Sequence, residues 1–267
     1  MNRQPAQAGA FYPAHPGTLA RTVEKLMDQK ASKEKAIGIV APHAGYVYSG
    51  RAAGAVYSRI ILPGEVIVLG PNHTGMGEDV AVAGRGHWIM PNGDVKMGEE
   101  LARKLLTGSS LIKEDSQAHL FEHSIEVQLP FLQFIRKDFC LVPVCISDYS
   151  LSTTQQLGRI IARAVKERGG NVLIIASSDM SHYVPAAVAE EKDRMAIEKI
   201  LSLDPEGLLE VVRKENISMC GAGPVAAMLF AARELGGREA ELVLYNTSGD
   251  VTGDYDQVVG YAGIIVH

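Results

Sequence analysis

The sequence lacks the features that place a chain in several large classes of protein. Its 267 residues include only three cysteines and one tryptophan, and an odd, small number of cysteines does not predict a disulfide scaffold. No apolar run approaches the roughly 18 residues that a membrane-spanning helix needs, and the first residues lack the apolar core of a signal peptide. The net charge of -5 argues against a nucleic-acid surface, which would be basic. We therefore expect a cytoplasmic protein with neither a membrane nor a nucleic acid as its partner.

Several catalytic motifs are missing as well. The chain contains no G-x-x-x-x-G-K-[ST] phosphate loop and no G-x-G-x-x-G turn after a strand. It also lacks the G-x-S-x-G sequence of α/β-hydrolases, and it has no C-x-x-C pair that would indicate a structural zinc site. These absences disfavour nucleotide binding and serine hydrolysis, so the chemistry must be sought elsewhere.

Short apolar runs alternate with amphipathic segments along the chain, which predicts an α/β fold. The runs at 37–41, 66–69, 139–146 and 172–176 are typical of strands buried on both faces of a parallel sheet. Two further strands, 241–245 and 258–266, follow one another directly and predict an antiparallel pair. Helices are predicted at about 18–29, 98–106, 153–166, 187–203, 205–214 and 225–235. We expect one domain over 1–267, with a mixed, mostly parallel central sheet flanked by helices.

Histidines follow three of the buried strands at the point where each strand ends. His43 comes after the strand at 37–41, His73 after 66–69, and His182 shortly after 172–176, with Asp179 three residues before it. Ligands of open parallel sheets bind just beyond the carboxyl ends of the strands. A lone histidine there would be a loop residue, but three together predict a shared site.

Cys220 is the third element of this expected site. It lies in a glycine-rich segment at the start of a predicted helix, where a helix N-terminus lowers the pKa of a thiol. The flanking glycines predict that the thiol is accessible. Two histidines, His43 and His73, and one thiolate leave open positions on a metal and favour zinc, copper(I) or iron. His182 and Asp179 would then supply acid/base chemistry from beside the metal.

The remaining pocket residues are predicted from the sequence around these ligands. The glycine-bracketed segment 44–50 is expected to be a loop lining the pocket, in which Tyr46 either presents its hydroxyl to a ligand or packs against neighbours, the commoner fate of an aromatic side chain. Asn72 lies next to His73. The stretch 119–130 has four ionisable side chains at helical spacing. We expect His123 and Glu126 to point into the pocket and the other two to pair on the surface. The letters H-L-F-E-H also fit an inverted zinc-protease pattern, using His119, Glu122 and His123.

Six ordered motifs give the chain a resemblance to the Memo family, named after an animal mediator of cell motility. The resemblance covers essentially the whole chain, and prokaryotic members are labelled AmmeMemoRadiSam system protein B. The motifs are A-G-A-F-Y-P at 8–13, P-H-A-G-Y at 42–46, G-P-N-H at 70–73, E-H-S-I-E-V-Q-L-P-F-L at 122–132, S-S-D-M-S-H-Y at 177–183 and C-G-A-G-P at 220–224.

The resemblance implies a fold like that of the class III extradiol dioxygenases, whose iron is bound by two histidines and a carboxylate. It implies that His43 and His73 are metal ligands, that Cys220 replaces the carboxylate, and that Asp179 and His182 line the same pocket. Iron or copper is the expected cofactor, with zinc as a further option. A small-molecule or peptide ligand and radical-SAM pathway partners are also implied. The leading hypothesis is a metal-dependent redox protein, and the alternative is a peptide-binding or protein-binding module that uses the same cleft without turnover.

Overall fold

A computed structural model describes residues 2–107 and 109–267 of the chain. The strands are Asn2–Arg3 (β1), Gly38–Ala41 (β2), Glu65–Pro71 (β3), Val80–Val82 (β4), His87–Trp88 (β5), Val95–Met97 (β6), Lys113–Glu114 (β7), Cys140–Ile146 (β8), Val172–Ser177 (β9), His182–Val184 (β10), Ala240–Thr247 (β11) and Val258–Val266 (β12). The α-helices are Pro16–Leu26 (α1), Tyr46–Ser58 (α2), Glu99–Thr107 (α3), Leu129–Ile135 (α4), Leu151–Glu167 (α5), Ala186–Leu201 (α6), Pro205–Lys214 (α7), Ala222–Glu234 (α8) and Gly249–Thr252 (α9).

The strands join one mixed sheet whose central order is β8-β3-β9-β2, with all four of these strands parallel. The strands are apolar and almost completely buried, as expected when helices cover both faces of a parallel sheet. β12 continues the sheet antiparallel to β2 and pairs in turn with β11. The predicted α/β class, the mostly parallel sheet and the antiparallel pair at the C-terminus are confirmed. No helix in the described residues is both long and apolar enough to cross a membrane.

Three local predictions are wrong, and each has a physical reason. The first helix begins at Pro16, because the fixed φ of proline suits the first helical turn, and His15 rather than Thr18 precedes it. Residues 46–50 are not a loop, since α2 begins at Tyr46 directly after Gly45. The stretch 119–130 is irregular: two single 3-10 turns, Gln117–His119 and Glu126–Gln128, precede α4.

Gly54 shows how closely α1 and α2 pack against each other. A Cβ at this position of α2 would collide with the backbone carbonyl of Leu26 at the end of α1, and backbone cannot move aside as a side chain can. Although alanine forms helices better than glycine, we expect Gly54→Ala to lower the free energy of unfolding by about 1–3 kcal/mol because of this collision. Urea denaturation measures the change. Gly64→Ala is the control, because its Cβ would meet only ordinary contacts with Arg136; equal stability of the two variants would contradict the explanation.

Candidate functional site

Two parallel strands and one irregular segment bring three imidazoles together at one edge of the sheet. His43 follows β2, and His73 follows β3. The irregular segment before α4 adds His123, whose ring stacks on that of His73 with centroids 4.6 Å apart and lies 5.5 Å from the ring of His43. One potential ligand nitrogen from each of the three histidines lies within 4.8 Å of the other two. His43 is buried and His73 is exposed, so the cluster is open to solvent on the His73 side.

The proton on the His43 ring can be located from its hydrogen-bond partners. His43 Nδ1 lies 2.9 Å from Ser177 Oγ. The Ser177 hydroxyl already donates its only proton to the carbonyl oxygen of Ser124, at 2.6 Å, and it accepts from Gln128 Nε2 at 2.8 Å. Nδ1 must therefore be the donor, which leaves the lone pair of Nε2 free to bind a metal. Burial, helped by His123 and His73, holds the pKa of His43 well below its ordinary value, so the ring is neutral.

Glu122 fixes the His73 ring in the same way, and sequence reasoning missed its role. His73 Nδ1 lies 2.9 Å from Glu122 Oε1, and the His73 backbone N–H donates to Oε2 at 2.5 Å. A carboxylate only accepts, so Nδ1 carries the proton and Nε2 the lone pair. Burial raises the pKa of Glu122, but the hydrogen bond from His73 and the backbone N–H of Ser124 outweigh it and hold the pKa at about 2. Its position beside His123 in H-L-F-E-H was the available signal, although the helical pattern predicted a surface pair.

Cys220 lies beside the imidazole cluster, with its Sγ 3.1 Å from His43 Nε2. Since Nε2 carries no proton, the thiol donates to it. The predicted lowering of the thiol pKa is wrong, because burial and then the Asp179 carboxylate raise it well above its usual value. The glycines were predicted to leave the thiol accessible, and Cys220 is partly accessible. Gly221 is pressed against Ser177 and Ser178, so the glycine leaves room for close packing.

Asp179 lies in the loop after β9 and contacts His43, whereas His182 is the first residue of β10. Asp179 Oδ1 accepts the backbone N–H of His43 at 2.7 Å, and its Oδ2 lies 4.0 Å from His43 Nε2. Burial raises the pKa of the Asp179 carboxyl, partly offset by the His43 backbone N–H. His182 Nδ1 lies 2.9 Å from the carbonyl of Ser218, so it donates there and leaves Nε2 as a potential base. The acid/base roles of Asp179 and His182 stay predictions.

Three residues expected to line the pocket have other partners. The Tyr46 hydroxyl is buried and donates to the carbonyl of Val127 at 2.6 Å, so it presents nothing to a ligand. The Asn72 side chain closes its own loop, accepting from Thr74 and Gly75 and donating to Met76. Glu126 is fully buried and forms an ion pair with Arg3 at 2.7 Å. Of the two residues predicted to point inward from 119–130, His123 belongs to the cluster, whereas Glu126 binds the N-terminal segment.

The protease interpretation fails because its three residues do not share a site. Without a helix over 119–123, His119 is buried against Trp88, with ring centroids 5.9 Å apart, and its Nε2 donates to the carbonyl of Ala81 at 3.2 Å. His123 instead stacks on His73. The prediction that His119 and Glu122 pair on the surface is also wrong, since both are buried.

A second group of potential ligands has a different explanation. Glu34, Glu241 and His267 lie within ligand distance of one another. Arg59, however, binds both Oε atoms of Glu241 at 2.7 Å and reaches Glu34 Oε1 at 2.9 Å. A guanidinium already supplies the positive charge there, so this group is an ion-pair network.

The donor set at the imidazole cluster fits a metal ion. The nitrogen lone pairs of His43 and His73 are defined by the hydrogen bonds above, and a thiol lies next to one of them. Glu122 and Asp179 add negative charge while burial lowers the pKa of both His43 and His123, so a cation is favoured electrostatically. Nitrogen and sulfur donors suit zinc, copper and iron better than magnesium or calcium.

Comparison with known proteins identifies a family for the chain. The sequence profile of the family described as Memo-like protein matches residues 3–265. A MEMO1 family protein of Methanosarcina barkeri is 46% identical over 266 residues, and one of Methanopyrus kandleri is 43% identical over 279 residues, each alignment covering 99% of both chains. A crystal structure of an uncharacterized protein from Escherichia coli has a TM-score of 0.60 at 13% identity and covers 85% of this chain and 98% of that one. At this identity the structural likeness shows the fold alone.

Proposed function

The chain belongs to the Memo-like protein family, and from this premise we propose that it is a metal-dependent redox protein that binds iron or copper, with zinc as a further option. The proposed ligands are His43, His73 and Cys220, with His123 as an additional candidate. The proposal depends on one observation: three imidazole nitrogens within 4.8 Å of one another, with the Cys220 thiol 3.1 Å from one of them.

The chain's own groups would prepare this site before any ion arrives. Ser177 and Glu122 hold the rings of His43 and His73 in the tautomer whose Nε2 can coordinate. The raised pKa keeps the Cys220 thiol protonated in the metal-free protein, so binding of a metal through its sulfur would displace that proton. When bound, iron or copper would supply one-electron redox chemistry and Lewis acidity.

The same pocket offers groups for proton transfer to a substrate. We propose that His182, held by Ser218, accepts or donates a proton through Nε2, and that Asp179 orients the His43 side of the site through its backbone hydrogen bond. The substrate is proposed to be a small molecule that enters on the open His73 side.

Metal retention tests the proposal. We expect the wild-type protein, purified without a polyhistidine tag and incubated anaerobically with Fe²⁺ or Cu⁺, to retain about one equivalent of metal after desalting, measured by elemental analysis. His43→Ala, His73→Ala and Cys220→Ala should each weaken retention at least tenfold, because each removes one donor. The expected retention declines in acid as protons compete for the imidazoles.

His15→Ala is the matched control, because His15 is exposed at the start of α1 and should leave retention unchanged. No metal retained by the wild type, or the same retention by His73→Ala and wild type, would contradict the proposed function. The non-catalytic binding module is not favoured, since Tyr46, on which it partly depended, is buried with its hydroxyl bonded to Val127.

A further inference from the structure

We propose that Arg3 is a positioning residue for the imidazole cluster. Its guanidinium holds residues 119–126 in an irregular conformation, and this conformation presents Glu122 and His123 to the other two histidines. The inference rests on the metal-binding function proposed above, and it assigns a role to a residue outside the pocket.

Arg3 occupies the acceptors that a helix over 119–126 would need. Its side chain is 2% exposed; Nε donates to the carbonyl of His119 at 2.5 Å and Nη2 to the carbonyl of Glu122 at 2.6 Å. In an α-helix these carbonyls would accept the backbone N–H groups four residues further on, at His123 and Glu126. The His123 N–H donates instead to Glu122 Oε1 at 2.9 Å. The guanidinium thus replaces helical hydrogen bonds and keeps the segment open.

Glu126 anchors the guanidinium and the chain around it. Arg3 Nη1 lies 2.7 Å from Glu126 Oε2, and the guanidinium carbon lies 4.2 Å above the Trp88 ring. The same carboxylate accepts the backbone N–H groups of Ala6 and Gln7 and the hydroxyl of Tyr12. We call residues 3–12 the N-terminal clamp, because they hydrogen-bond to both ends of the segment 119–126, which carries Glu122 and His123.

The clamp acts most directly on the His73 and His123 side of the cluster. Glu122 orients His73, and the ring of Phe11 in the clamp contacts the edge of His123 at a centroid distance of 4.7 Å. His43 is held by Ser177 and Asp179, and the segment 119–126 reaches it through the Ser124 carbonyl, which accepts the Ser177 hydroxyl. Loss of Arg3 should therefore disturb His73, whose Nδ1 donates directly to Glu122, more than His43, whose partner Ser177 is one hydrogen bond further from the segment. A general loss of stability would not produce this asymmetry.

Cobalt binding to the full-length chain tests the proposal. We expect Arg3→Ala to bind Co²⁺ about 10–100-fold more weakly than the wild type, the usual effect of losing a residue that orients metal ligands, under conditions where circular dichroism shows the variant folded. Arg3→Lys keeps the charge beside Glu126 but cannot bridge two carbonyls, so it should fold and still bind about tenfold more weakly. Arg59→Ala is the matched control: it removes an arginine that binds Glu34, before β2, and Glu241, at the start of β11. These residues lie at the opposite end of the sheet, so the variant should not change Co²⁺ affinity.

Nitrogen NMR of the histidine rings gives a second readout in the metal-free protein. The wild type should show the Nδ1-protonated tautomer for both His43 and His73, and Arg3→Lys should reduce its population more at His73 than at His43. Wild-type Co²⁺ affinity in Arg3→Lys, or an unchanged His73 tautomer, would overturn the role of Arg3. If the wild type binds no Co²⁺ but the His73 tautomer still depends on Arg3, the clamp stands and the metal-binding proposal fails.

Discussion

Glu126→Gln is expected to lower the free energy of unfolding by about 3–5 kcal/mol, the usual cost of breaking a buried ion pair. The substitution leaves the Arg3 guanidinium buried without its counter-charge and replaces an oxygen that accepts hydrogen bonds with an NH₂ group that cannot. Glu126 is fully buried, and both of its oxygens already accept hydrogen bonds. Domains have total stabilities of about 5–15 kcal/mol, so urea denaturation should show a large shift of the midpoint.

Glu241→Gln is the matched control for this experiment. Glu241 also pairs with an arginine at 2.7 Å, but its side chain is half exposed. The chemical change and the ion-pair distance are thus the same, whereas burial and the three further hydrogen bonds that Glu126 accepts differ. Exposed pairs contribute about 0–1 kcal/mol. A similar loss of stability in both variants would show that burial of the Arg3–Glu126 pair is not the source of its effect.

His119 is expected to make the metal-free protein less stable in acid. Burial, and then the charge of Arg3, lowers its pKa from 6.5 to about 4, while the Ala81 carbonyl, Asp115 and Glu122 act in the opposite direction. In the unfolded chain this histidine binds a proton as the pH falls below 6.5. In the folded chain it binds the proton only near pH 4. Stability from this histidine is therefore complete above pH 6.5 and is lost as the pH falls to about 4, by about 2–3 kcal/mol.

His119→Gln tests this expectation, because glutamine can still donate to Ala81 but does not titrate. Urea denaturation with a chelator present, at about pH 7.5 and about pH 4.5, should show a smaller acid-induced loss in the variant than in the wild type. Other buried histidines titrate in both proteins and cancel in the comparison. His15→Gln should behave as the wild type, and an unchanged loss in His119→Gln would contradict the assignment.

The sequence predicted the parts of the fold that depend on local pattern. Apolar runs marked the central strands, and the rule that ligands bind beyond parallel strand ends brought His43 and His73 to one edge. Both predictions follow from side-chain burial and strand direction, which neighbouring residues determine.

The sequence could not predict the contacts that override local pattern. The spacing of ionisable residues at 119–130 favoured a helix, but Arg3, far away in the chain, takes the carbonyls that a helix would use. Glu122 was expected on the surface, but in the conformation that Arg3 stabilises it is buried beside His73. Likewise, a helix N-terminus predicted a thiolate at Cys220, whereas burial and the charge of Asp179 raise its pKa. In each case the decisive partner lies far along the chain.

The contact between Arg3 and Glu126 also bears on when the site can form. The two residues are 123 positions apart, so joining them closes a long loop, and the entropic cost of closure grows with the logarithm of loop length. Contacts of this range form slowly compared with local helices and turns. We therefore expect the clamp to close late in folding, and until it closes Glu122 and His123 are not held against His73. A metal that binds at the proposed site would then bind after the clamp has closed.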